Sequence, residues 1–73
     1  MKYNVIPLVA ALTLCLGVHK GQLALLKADS RVPVRIYPVE IRLLPPADQL
    51  SLTSGIEITD RLQLARLLED YLS

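Results

Sequence analysis

The sequence predicts an α+β chain in which an N-terminal hydrophobic helix leads into a small strand-helix-strand-helix unit, an incomplete sheet. Three observations predict it. An almost unbroken apolar run extends from Val5 to Val18, β-branched residues alternate between Val32 and Leu43, and apolar residues recur at helical spacing from Leu64 through Leu67 and Leu68 to Tyr71 or Leu72. The chain has 73 residues, of which 52% are hydrophobic and 4% aromatic, with no Trp and no Phe. That length admits one small domain and excludes a multidomain enzyme.

The sequence divides into three parts: residues 1–27 as a hydrophobic signal or anchor helix with a basic flank, residues 28–38 as a linker and the start of a strand, and residues 39–73 as a small α+β domain. Val5–Val18 is interrupted only by Pro7, Thr13 and Gly17. Its fourteen residues would span ~21 Å as a helix against a bilayer core of ~30 Å, a length suited to a signal segment or a short anchor. No pair of small residues after the run has the spacing of a cleavage site, so an uncleaved signal-anchor is preferred, with Tyr3 and the stem of Lys20 extending its apolar length. Cys15 lacks the small preceding residue that a lipidation signal needs, because Leu14 stands there, and it reads as a small hydrophobe. Leu23–Leu26 reads as a continuation of the helix.

Charge is segregated. His19 to Arg42 carries a net +3 and Leu43 to Ser73 a net −3, within an overall +1. No global field attracts nucleic acid. Lys2 favours an inside N-terminus, whereas the larger positive excess after the run favours a cytoplasmic C-terminus.

In the second half, Val32, Val34 and Ile36 are followed by Val39, Ile41 and Leu43 in the opposite phase, with Pro38 at the flip. That pattern predicts a bulged or edge strand, since Pro38 has no N–H for a ladder. Pro45 and Pro46 then open a short helix that ends at Gly55. Ile56–Ile58 reads as a brief strand, and Asp60 with Gln63 as the capping box of a final helix. Val39, Ile41 and Leu43 are expected to pack one side of a strand against Leu64 and Leu68, leaving a strand edge on which a partner or a second copy docks. Pro45, Pro46, Gly55, Asp60, Leu64 and Leu68 are the expected structural positions.

The chemical inventory is thin. Cys15 and His19, four apart, would share a helix face inside or beside the apolar run, where neither catalysis nor metal binding is supported. Glu69 and Asp70 are adjacent and diverge on a helix, and the three glycines lack the spacing of a phosphate loop. A helix-turn-helix around Gly55 would present Asp60, Glu69 and Asp70 to phosphates. No catalytic residue, cofactor, metal, nucleic acid or small-molecule substrate is therefore expected.

From Val39 to the end the chain resembles the C-terminal domain of the bypass-of-forespore C family. Val39, Glu40, Ile41, Arg42, Leu43 and Leu44 lead into Pro45 and Pro46, Leu50 precedes Ser54, Gly55 and Ile56, and Leu64 through Tyr71 close the pattern. The resemblance implies a strand entering an acidic proline-capped helix, a Gly-Ile turn and a leucine-rich closing helix. It also implies an exported protein that restrains a signalling protease during sporulation. The expected function is thus a small exported or membrane-anchored interaction protein, with the membrane engaged through Val5 to Val18, the C-terminal domain extracytoplasmic, and a protein partner or self-association. The alternative is a short single-pass membrane peptide with a cytoplasmic C-terminus that modulates a larger membrane protein.

Overall fold

Lys20 and Gly21 both hold positive φ, 50° and 82°, which is the geometry of a two-residue type I′ hairpin turn. The turn folds the apolar sequence on either side of it into two paired strands, β1 (Leu14–His19) and β2 (Gln22–Lys27), in register from Leu14↔Lys27 to His19↔Gln22. The computed structural model describes residues 13–72. It adds β3 (Pro33–Glu40), a 3-10 turn (Ile41–Leu43), α1 (Pro46–Ser54), β4 (Ile56–Ile58) and α2 (Arg61–Leu72). The four strands form one antiparallel sheet in the order β3-β2-β1-β4.

This architecture corrects the expected hydrophobic helix. Residues 14–18 of the apolar run lie in a strand at the middle of the sheet, and Leu23–Leu26 lies in its neighbour. The physical reason is that a short apolar run bounded by a turn signal fits a strand buried on both faces as well as it fits a helix, and the Lys-Gly pair selects the strand. The rest of the run, residues 5–12, lies outside the described residues. Among the described residues no helix is long and apolar enough to cross a membrane. The expected strand over residues 39–43 is also corrected: β3 ends at Glu40, and Ile41–Leu43 winds into a 3-10 turn closed by the Leu44 N–H donating to the Ile41 carbonyl at 3.0 Å. With three strands ahead of α1, the sheet is larger than the incomplete strand-helix-strand-helix unit expected.

Side chains alternate along β1, and directly paired residues share a face. Leu16 and Val18 therefore lie with Leu25 and Leu23 on one face, and Cys15 and Gly17 with Leu26 and Ala24 on the other. The first face holds the main core, in which Leu16, Leu23, Ile41 and Leu52 are buried and Ile56, Leu64, Leu68 and Tyr71 pack against them. Cys15, Ala24 and Leu26 form a second buried cluster.

Pro46 occupies the first turn of α1, where its missing N–H costs nothing, and Pro45 holds the extended backbone that precedes a proline. The helix stops at Gly55, whose φ of 94° continues the chain into β4 and whose N–H donates to the carbonyls of Ser51 and Leu52. β4 then pairs with β1 through Leu14↔Ile58 and Leu16↔Ile56. Asp60 caps α2: its Oδ1 accepts the Gln63 N–H at 2.8 Å. Gln63 Oε1 accepts from the Thr59 N–H and hydroxyl, and its amide nitrogen donates to the Glu57 carbonyl at 2.9 Å. One side chain thus ties the start of α2 to β4.

A Cβ built on Gly21 meets nothing within 4 Å, so the requirement for glycine there is purely one of backbone. Gly21→Ala is expected to lower unfolding stability by ~1–2 kcal/mol in urea titration, and Gly21→Asn by less, because Asn tolerates the left-handed region.

Candidate functional site

The strand order leaves two edges. β4 has three residues, whereas β3 has eight and borders a described strand on one side only. β3 reaches the edge with an irregular ladder: its register on β2 shifts between Gln22 and Ala24 and again between Leu25 and Leu26. Such bulges bend a strand and release part of it from pairing. Alternation along β3 places Tyr37 and Val39 on the main core, whereas Val34 and Ile36 point to the other face and, with the preceding Val32, remain 53%, 47% and 50% exposed. Arg35 is exposed beside them, its guanidinium 5.8 Å from the centre of the Tyr37 ring, within cation–π range. At the far end of the strand Glu40 accepts from Arg42 Nε at 2.8 Å, an ion pair exposed on both sides and of small energetic weight.

The three residues expected to form a binding strand are dispersed. Val39 is half-buried in β3, and Ile41 is buried with its N–H donating to the Gly21 carbonyl at 2.9 Å. Leu43 is 69% exposed in the 3-10 turn. Val39 and Ile41 join the cluster that holds Leu64 and Leu68; Leu43 does not. The exposed apolar edge is instead Val32, Val34 and Ile36. Their alternation is visible in the sequence, but whether that stretch is covered depends on strand order.

Arg31 links the sheet to the end of α1. Its backbone is held at φ 61°, and its Nη2 donates to the Ser54 carbonyl at 3.3 Å. A Cβ on Gly55 would come 3.3 Å from that nitrogen, so Gly55 leaves the room the guanidinium occupies. A cation at a helix C-terminus is favourable by a few tenths of a kcal/mol up to about 1 kcal/mol.

The other candidate chemistries do not assemble. On a strand, Cys15 and His19 share a face but stand ~13 Å apart along it. Among the described residues no group of three or more His, Cys, Asp and Glu could hold a metal ion. A groove of about 500 Å³ at the hairpin tip includes Lys20, Glu40, Arg42 and Gln49. Three of its polar side chains are engaged within the chain: Arg42 with Glu40, and Gln49 with the Leu44 carbonyl at 2.8 Å.

Tyr71 on α2 has its phenol pushed above its ordinary value, first by burial and then by the negative charges of Asp48 and Asp70. A phenol whose folded-state pKa is raised contributes stability at lower pH that is lost as pH rises through the folded value.

Two outcomes follow from these contacts. Arg31→Ala keeps the left-handed backbone demand and loses the helix contact, while Arg31→Gly loses the contact but relieves the backbone; Ala is therefore expected to be the less stable of the two by ~1 kcal/mol in urea unfolding. Above about pH 10 the chain should lose stability more steeply than its Tyr71→Phe variant, read as midpoint against pH.

Compared with protein-family models, curated proteins and solved structures, the chain matches none of them.

Proposed function

We propose that this chain is a small, non-catalytic binding module that takes up an extended segment of another protein along the outer edge of β3. The observation that carries the reading is the edge itself: a strand of eight residues with no described neighbour beyond it, with Val34 and Ile36 on it and Val32 just before it about half exposed. An unpaired strand edge offers N–H and carbonyl groups for β-augmentation, and side chains along it supply selectivity. Pro33 and Pro38 carry no N–H, and prolines limit how far a partner strand extends along an edge.

The chemistry of the occupant follows from Arg35. Two copies of β3 paired antiparallel about Arg35 or Ile36 would set like charges near one another, which is unfavourable. A segment alternating apolar and acidic residues would pair its carboxylates with Arg35 and its apolar side chains with Val34 and Ile36. The resemblance of residues 39–73 to the bypass-of-forespore C family supports a setting in which a signalling protein is restrained by binding, with sporulation as the context. Within residues 39–73 the end of β3 precedes the proline-started α1, Gly55 and Ile56 follow it, and α2 closes the described residues, the order the resemblance implies.

The test uses backbone amide shifts of the full chain, titrated with an alternating valine–aspartate octapeptide and with its valine–lysine counterpart. The acidic peptide is expected to move the amides of residues 32–37, and Arg35→Glu to reverse the preference between the two peptides. If neither peptide moves those amides, or both act on α2 instead, the edge is not the binding surface.

A further inference from the structure

α2 is apolar on more than the side it turns to the core. Leu64, Leu67, Leu68 and Tyr71 form the stripe that packs on the main cluster. Helical geometry places Leu62, Ala65 and Leu72 on a neighbouring stripe, where Leu62 is 59% and Leu72 47% exposed and Ala65 is exposed with them. No residue of the helix is buried. A surface helix ordinarily keeps a single apolar stripe, so a second one signals a further contact. Along this stripe lies an open hollow of about 610 Å³ lined by Ala65, Leu68, Glu69, Asp70 and Leu72. The same helix therefore carries an exposed leucine, Leu62, and a recess with apolar walls. Its charges balance, Arg61 and Arg66 against Glu69 and Asp70. Among the described residues neither Arg61 nor Glu69 belongs to an ion pair.

We propose that α2 pairs antiparallel with α2 of a second copy, each seating its Leu62 in the other's hollow. A two-fold pair sets one surface against itself, so a projection and a recess on that surface satisfy each other twice. The spacing fits a crossing at Ala65. Leu62 stands three residues before it and Leu68 three after, so the two are level across the pair. Arg61 stands four before and Glu69 four after, each ~6 Å along the axis from the crossing, so opposite charges are level as well. At the crossing Ala65 meets Ala65, and a methyl group there lets the axes approach to ~8 Å. A parallel pair would set Arg61 against Arg61 and Glu69 against Glu69, which is unfavourable. An anionic membrane is disfavoured too, because the stripe has no net positive charge and two carboxylates border the hollow. The inference does not rest on the β3 edge: α2 follows β4, on the opposite edge of the sheet.

A contact confined to one helix ~18 Å long is small beside the ~800 Å² per partner of a standard interface, so the dimer is expected in the micromolar to millimolar range. Sedimentation equilibrium of the full chain across that range reads it directly. Arg61→Glu and Glu69→Arg each set like charges level across the pair and are expected to weaken dimerisation about tenfold or more. Neither swap weakens the helix itself. The first turn of α2 has no acid and the last no base, and each swap supplies the charge that the helix dipole favours at that end. The double variant Arg61→Glu/Glu69→Arg is expected to dimerise again, and a mixture of the two single variants to form a heterodimer. That cross-rescue belongs to an antiparallel pair, since a merely structural role for either residue would not depend on the other chain. A wild-type chain that stays monomeric at millimolar concentration overturns the proposal. So does a dimer indifferent to both swaps, a loss that neither the mixture nor the double variant repairs, or association that requires phosphatidylglycerol vesicles. None of these readouts involves the amides of residues 32–37, so failure here is separable from failure of the edge reading.

Discussion

The left-handed turn at Lys20 and Gly21 is the constraint from which the rest of the sheet is built. It sets β1 against β2 in full register, and that pairing decides which side chains share a face. β3 and β4 then add on opposite sides of the hairpin. The same turn holds the chain further on, because the Gly21 carbonyl accepts the Ile41 N–H where β3 passes into the 3-10 turn. A slip of one residue in this hairpin would exchange Leu16 and Leu23 with Gly17 and Ala24 and empty the main core.

Around the hairpin the core is thin. Leu16, Leu23, Ile41 and Leu52 are its buried members on the main face, and α2 contributes half-buried residues without one that is fully enclosed. A domain of this size buries a small share of its surface, so hydrophobic packing alone leaves little margin over chain entropy. Polar ties at the ends of elements therefore carry more weight than in a larger protein. Gln63 joins α2 to Thr59 and Glu57, and Arg31 joins the β2–β3 turn to the end of α1. Both act where the chain leaves one element for another, where backbone groups lack partners within the element.

The charge segregation acquires a spatial meaning in the fold. Lys20, Lys27, Arg31 and Arg35 fall on the hairpin, its flanking turn and β3, while Asp48, Glu57, Glu69 and Asp70 fall on α1, β4 and α2, where Arg61 and Arg66 offset only part of the negative charge. A basic, partly apolar strand edge next to an acidic helical half disfavours pairing of like edges and favours a partner of opposite sign. Pro33 and Pro38 add to this, since neither carries an N–H and prolines are a common guard against indiscriminate edge pairing.

By itself the sequence determined the elements whose signals are local. Pro46 and Gly55 bracket α1, Asp60 and Gln63 open α2, and the leucine spacing of α2 marks its core-facing side, because caps, prolines and helical periodicity act within a few residues. The hairpin is encoded just as locally, in the Lys20–Gly21 pair, but an apolar run has no period that separates a membrane helix from a strand buried on both faces. Tertiary structure alone decided the strand order, and with it the site. Val32, Val34 and Ile36 became an exposed edge and Ile41 a core residue because strand neighbours are chosen by contacts between segments far apart in the chain, which no local alternation records.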